Sequence, residues 1–247
     1  MATASPLSIS SDTSCRMVSG VLPAKTCLVK PAALTMGAMK SSAMRLLFFV
    51  MLLVVNPAFA AQTILVLGDS LSAGYGLAQG EGWVALLEQR LQRDKLDYQV
   101  VNASISGDTT FGGLNRLPAA LEEHHPAIVI VELGANDGLR GNALEEIRKN
   151  LIAIVQACRK SGARVVVTGM RIPPNYGPVY TRRFESLFAE VARQQNVELV
   201  PFLMQGFAGD RSLFQADGIH PTAAAQPRML DNVYHRLRSL LLPRPKR

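Results

Sequence analysis

The chain is poor in the residues that build disulfide scaffolds and metal sites. Three cysteines (Cys15, Cys27, Cys158) and four histidines (His124, His125, His220, His235) are scattered over 247 residues. That excludes a disulfide-rich fold. No His/Cys/Asp cluster has metal-ligand spacing, so neither a metal nor a cofactor is expected. Apolar runs are short as well. The longest, Leu46–Val55, has ten residues, where a membrane span needs about 20. No G-K-[ST] phosphate loop occurs, and Gln79 stands where a G-x-G-x-x-G run from Gly74 needs its last glycine. A nucleotide-binding protein of open-sheet type is therefore disfavoured. After Ala60 there is no repeat, linker or low-complexity segment.

The composition itself, 48% hydrophobic and 18% charged, is ample for a packed core. The length fits one large domain or two small ones. The net charge of +7 raises nucleic acid as a partner, but the N-terminal residues account for much of it. Lys40 and Arg45 precede the apolar run, Asn56-Pro57 breaks it, and Ala58-Phe59-Ala60 follows. A basic region, a short apolar stretch and an A-x-A site describe a cleaved export signal over residues 39–60. Residues 1–38 are rich in Ser, Ala and Thr without apolar periodicity. They read as a non-folded upstream segment, with Met39 as the natural start and a transit peptide as the weaker alternative.

Cleavage after Ala60 leaves residues 61–247 and removes five basic residues (Arg16, Lys25, Lys30, Lys40, Arg45), one acid (Asp12), Cys15 and Cys27. The charge then falls to +3, part of it in the basic tail of Arg244, Lys246 and Arg247, and Cys158 is the one thiol left. The expectations are a periplasmic or secreted protein that is monomeric by default, with no nucleic-acid partner and no stable membrane insertion once the signal is gone.

Strand-like and helix-like patterns alternate through residues 61–247. Strands are expected at Thr63–Leu67, Tyr98–Ala103, Ala127–Leu133, Arg164–Thr168 and Glu198–Phe202. Helices are expected at Gly82–Arg93, Phe111–Glu123, Ala143–Lys160, Tyr180–Asn196 and Thr222–Leu242. Cys158 falls on the apolar stripe of the third helix, which makes it a core cysteine rather than a nucleophile. Strict alternation implies a parallel sheet with right-handed crossovers. The expected fold is a single flavodoxin-like three-layer α/β/α domain with a five-stranded parallel sheet.

In such sheets ligands bind beyond the carboxyl ends of the strands. Polar segments sit just there: Gly68-Asp69-Ser70-Leu71-Ser72, Ser104-Ile105-Ser106-Gly107-Asp108 and Gly134-Ala135-Asn136-Asp137-Gly138, with Asp217-Gly218-Ile219-His220-Pro221 before the last helix. Ser70 lies in a strand-to-helix turn, where a hydroxyl is exposed as a nucleophile; Asp69 and Ser70 also suit a plain helix cap. Of the four histidines only His220 falls on that edge, with Asp217 three residues before it to orient the ring. Acyl transfer needs oxyanion donors. The Ser70 and Gly107 backbone N–H groups and the Asn136 amide are candidates, although a turn asparagine is the plainer reading of Asn136. Ser72 replaces the second glycine of G-x-S-x-G, which argues against an α/β-hydrolase elbow.

These four ordered blocks resemble the SGNH (GDSL) hydrolases, over residues 62–242. Asn102–Thr109, Val131–Gly141, Pro173–Gly177 and Asp217–Pro221 resemble its periplasmic acyl-CoA thioesterase I / protease I / lysophospholipase L1 group in particular. The resemblance implies Ser70 as nucleophile, His220 as base and Asp217 as its orienter, with Ser70, Gly107 and Asn136 as the oxyanion hole. It implies a small-molecule acyl ester substrate bound near Gly138, Leu139, Ile172, Pro173 and Tyr176, with a loop matching 138–143 that moves on binding. Ile172 stands where the group usually has leucine, and Gly134-Ala135 replaces its commoner Gly-Gly. Esters and thioesters of fatty acyl groups (lysophospholipids, aryl esters, acyl-CoA) are the implied substrates. A carbohydrate acetylesterase is the alternative.

Overall fold

The computed structural model describes residues 61–241. The expected upstream segment 1–38, the export signal 39–60 and the basic tail lie outside the described residues. Strand β1 (Gln62–Gly68) is followed by a short helix α1 (Ser70–Ala73), then α2 (Trp83–Arg93) and β2 (Tyr98–Asn102). Next come α3 (Thr110–His124), β3 (Ile128–Glu132), a second short helix α4 (Ala135–Leu139) and α5 (Leu144–Lys160). The chain closes with β4 (Arg164–Thr168), α6 (Pro178–Gln195), β5 (Glu198–Val200) and α7 (Gln226–Leu241).

All four strand pairings are parallel, in the order β2-β1-β3-β4-β5. This is the doubly wound order whose switch point lies between β1 and β3. Helices α2 and α7 pack together on one face, and α3, α5 and α6 on the other. The central strands are buried on both sides, as near-continuous apolar runs must be. Each long helix turns one stripe inward: Trp83, Val84, Leu87 and Leu91 on α2, and Ile147, Leu151, Ile154, Val155 and Cys158 on α5. Helix α5 also begins with Glu145 and Glu146 and ends with Arg159 and Lys160, charges that complement its dipole. Cys158 is fully buried, and that burial pushes its thiol up to about 12.

The ten expected elements are present, with local differences that have simple causes. Strand β5 stops at Val200 rather than Phe202, because Pro201 has no N–H for a ladder. The closing helix starts at Gln226 because Ala223–Ala225 form a tighter 3₁₀ turn. Helix α3 tolerates Pro118 in its interior. The two short helices were not foreseen, being too short for any periodicity to register. No helix among the described residues is long and apolar enough to cross a membrane.

Candidate active site

Three turns after β1, β2 and β3 meet at the carboxyl edge of the sheet, joined there by the loop before α7. The first turn is set by Asp69. Its buried carboxylate caps α1, accepting the Leu71 N–H at 3.0 Å. The cap reading of Asp69 is thus fulfilled, and it leaves Ser70 at the first helical position with its hydroxyl toward the loop of His220. The Ser70 N–H has no hydrogen-bond partner among the described residues.

His220 is held by its own loop. Phe214 and Pro221 form an antiparallel bridge, and the Gln215 N–H donates to the His220 carbonyl at 2.7 Å. The Gln215 side chain donates to the Tyr75 and Pro221 carbonyls, tying this loop to the end of α1. Asp217 accepts the backbone N–H groups of Ile219 and His220 through Oδ1, while Oδ2 lies 2.6 Å from His220 Nδ1. The His220 Nε2 in turn lies 2.9 Å from Ser70 Oγ. The His220 backbone N–H leads the bonds that pull Asp217 down to about 2, followed by the imidazole and the Ile219 N–H. The Tyr75 ring covers the imidazole, with centroids 4.5 Å apart. A carboxylate, an imidazole and a hydroxyl in line can shift a proton from the hydroxyl to the ring and stabilise the cation formed.

Gly107 sits in the turn after β2 at φ +80°, a conformation that favours glycine, and its N–H has no partner among the described residues. Asn136, on α4, is placed differently from a free donor. Its Nδ2 donates to Asp69 Oδ2 at 3.0 Å and to the Asp108 carbonyl at 2.9 Å. The amide is a strut between the turn of Ser70 and the turn of Gly107, and it serves a third acceptor only by releasing one of these.

Beneath Asp69 lies Glu132, at the end of β3 and fully buried. One of its oxygens accepts from the Ser72 hydroxyl at 2.6 Å and from the Asp69 N–H at 3.3 Å. Burial, and after it the Asp69 carboxylate, raise Glu132 well above its ordinary value. Burial likewise raises Asp69 to about 6. Sequence reasoning passed over Glu132, although an acid ending an otherwise apolar run of Ile128-Val129-Ile130-Val131 was a visible signal. His124 and His125 fall before β3 at the opposite edge, and His235 is exposed on α7, away from the site.

The remaining predicted residues lie beside the site. Gly138 is buried, with Phe184 and Ile172 packed close to its Cα. Ile172 therefore faces the core beneath α4 rather than an open surface. The Leu139 carbonyl accepts the Tyr176 hydroxyl at 2.7 Å, and the Asn142 carbonyl accepts that of Tyr180 at 2.7 Å. Pro173 caps the 3₁₀ turn that carries Tyr176. Tyr176, Tyr180, Leu144, Val179 and Arg183 line a recess of about 350 Å³ outside the strap of residues 138–142 that these two tyrosines hold. Tyr180 and Arg183 were not foreseen. No group of three or more His, Cys, Asp or Glu among the described residues is placed to hold a metal ion.

Residues 66–227 match the model of the GDSL-like Lipase/Acylhydrolase family. The chain is 54% identical over 182 residues to esterase TesA of Pseudomonas aeruginosa, covering 74% of this chain and 90% of that protein. It is 41% identical over 194 residues to thioesterase 1/protease 1/lysophospholipase L1 of Escherichia coli K12, covering 78% and 92%. The crystal structure of the psychrotrophic esterase EstA from Pseudoalteromonas sp., inhibited by monoethylphosphonate, superposes with a TM-score of 0.70 at 44% identity, covering 73% of this chain and 98% of that one. The chain belongs to the GDSL-like lipase/acylhydrolase family and is a hydrolase of ester bonds.

Proposed function

We propose that Ser70 attacks the ester carbonyl and that the reaction proceeds by two acyl transfers. His220 takes the Ser70 proton as Oγ adds to the carbonyl carbon. Asp217 holds the ring and stabilises the imidazolium. The Ser70 and Gly107 N–H groups receive the oxyanion, joined by Asn136 when it leaves one of its resting acceptors; losing one such donor typically costs about 10²–10³ in rate. His220 then protonates the leaving alcohol or thiol, and water repeats the sequence on the acyl-enzyme. The observation that carries this reading is the 2.6 Å and 2.9 Å relay from Asp217 through His220 to Ser70, together with the Ser70 and Gly107 N–H groups, which have no partner among the described residues.

Fatty acyl esters (lysophospholipids, aryl esters, acyl-CoA) are the proposed substrates, with lysophospholipids or other fatty-acid esters ahead of acyl-CoA, because an exported protein rarely meets acyl-CoA. The acyl chain is proposed to run from Ser70 past residues 138–142 toward Tyr176, where an apolar recess offers room for a chain longer than acetyl. The protein is proposed to act as a monomer in the periplasm or outside the cell, after cleavage following Ala60. Ser70→Ala abolishes hydrolysis of p-nitrophenyl butyrate while circular dichroism and the melting temperature stay as in the parent; turnover retained in that variant overturns the assignment. A chain-length series of p-nitrophenyl esters, with lysophosphatidylcholine beside it, tests the substrate class. Strong preference for acetate favours a carbohydrate acetylesterase instead.

A further inference from the structure

We propose that Arg116 is a positioning residue that fixes the spacing of the two backbone oxyanion donors, an inference that rests on the acyl-transfer reading above. Arg116 reaches from α3 to the carboxyl edge of the sheet. Its Nε donates to Asp108 Oδ2 at 2.7 Å, its Nη2 to the Gly68 carbonyl at 3.2 Å, and its Nη1 to the Ala103 carbonyl. The three acceptors belong to three different pieces of the site. Gly68 ends β1 directly before Asp69-Ser70, Ala103 follows the end of β2, and Asp108 follows Gly107. One planar guanidinium therefore sets the turn presenting the Ser70 N–H against the turn presenting the Gly107 N–H.

The surroundings favour a fixed geometry over a loose surface pair. The Arg116 side chain is 22% exposed and that of Asp108 is 11%, so water competes little for these bonds. The second Asp108 oxygen accepts the Thr109 N–H at 2.9 Å. A Cβ on Gly112 would stand 2.0 Å from that oxygen; the missing side chain admits the carboxylate against the start of α3. The Asp108 carbonyl receives Asn136, and the Gly107 carbonyl receives Arg140 at 3.0 Å. The Gly107 turn is thus held from several sides: the Ile105 N–H donates to the Gly68 carbonyl at 3.1 Å and Asn136 reaches Asp69, while Arg116 adds the one charged side chain that joins that carbonyl to Asp108. Lysine's three donors radiate from one nitrogen and cannot span acceptors spread around a planar fork.

The test uses Arg116→Gln and Arg116→Lys in the full chain. Each is assayed with p-nitrophenyl butyrate after active sites are counted by exhaustive reaction with a p-nitrophenyl alkylphosphonate. A misplacement of about 1 Å at a reacting group costs about 10²-fold. On that scale kcat per titrated site falls about 10- to 100-fold in Arg116→Gln, with KM within about threefold of the parent and Arg116→Lys in between. A kcat per titrated site equal to the parent's, with the loss confined to fewer competent sites or a lower melting temperature, makes Arg116 a fold brace and overturns the proposal. Should Arg116→Gln fail to fold, the isosteric Asp108→Asn weakens the same tie without opening a cavity. A fall of about 3- to 10-fold per titrated site in Asp108→Asn supports the proposal, and no fall overturns it. Failure of the acyl-transfer reading looks different: the parent protein itself then escapes phosphonylation at Ser70.

Discussion

Replacing Glu132 by glutamine isolates the buried carboxyl beneath the Ser70 turn. In the unfolded chain this group titrates near 4.5; in the fold, burial and the Asp69 carboxylate keep it protonated well above that value. Above pH 4.5 the unfolded state has therefore lost a proton that the folded state keeps, so rising pH favours unfolding. The slope approaches about 1.4 kcal/mol per pH unit. Between pH 5.5 and 6.5 Glu132 alone removes up to about 1.3 kcal/mol of stability by that relation, the limit being reached when the folded group keeps its proton throughout. Asp69, raised to about 6, acts in the same direction at about half that size over this window, but it is present in both proteins. Glutamine keeps the shape, and its carbonyl can accept from Ser72 and Asp69 as the carboxyl does. Its amide NH₂ falls where Glu132 Oε1 has no partner among the described residues; that cost is constant with pH and leaves the slope alone. Urea unfolding of both proteins at pH 5.5 and 6.5 reads the effect directly. The stability difference should move toward E132Q across that unit, by up to about 1.3 kcal/mol. Parallel losses in the two proteins, within about 0.3 kcal/mol, would refute a neutral Glu132.

Asp217→Asn keeps an oxygen for the Ile219 and His220 N–H groups but removes the charge that orients His220, and kcat should fall about 10⁴-fold, with a lower melting temperature at neutral pH because those bonds lose their charge; a fall in kcat of less than tenfold refutes the orienting role. Because Asp217 is held down to about 2, its stabilising contribution is complete above about pH 3.8 and is lost only as the pH falls through about 2. Tyr176→Phe deletes one hydroxyl bond to the 138–142 strap, worth about 0.5–1.5 kcal/mol. It should lower kcat/KM for a long-chain p-nitrophenyl ester several-fold while leaving the acetate ester within about twofold. In protein beginning at Ala61, the Cys158 thiol should be inert to Ellman's reagent when native and react fully in urea, with activity untouched by thiol blockers.

The strands and long helices were legible because each rests on a local period. Ile128–Val131 reads as a doubly buried strand, and Leu144–Lys160 carries its apolar stripe, before any contact is known. The Asp217–His220 pair was legible for a related reason: its partners are three residues apart. Even the placement of Ser70 followed from topology, since a parallel sheet sends every strand end, and so every polar turn, to one edge.

Contacts between distant segments left no such trace. Ser72 and Glu132 are sixty residues apart, Arg116 and Gly68 forty-eight, and Asn136 and Asp69 sixty-seven. Which turn each side chain meets depends on strand order and on which face a helix covers, and neither is written in a window of ten residues. The sequence by itself determined the β/α alternation, the edge on which chemistry collects and the residue types available there. Only the tertiary structure decided that Asn136 rests as a strut, that Glu132 is buried deeply enough to keep its proton, and that Arg116 ties two turns together. Hydrophobic periodicity is a property of neighbours along the chain, whereas desolvation and hydrogen bonding depend on what the fold brings into contact.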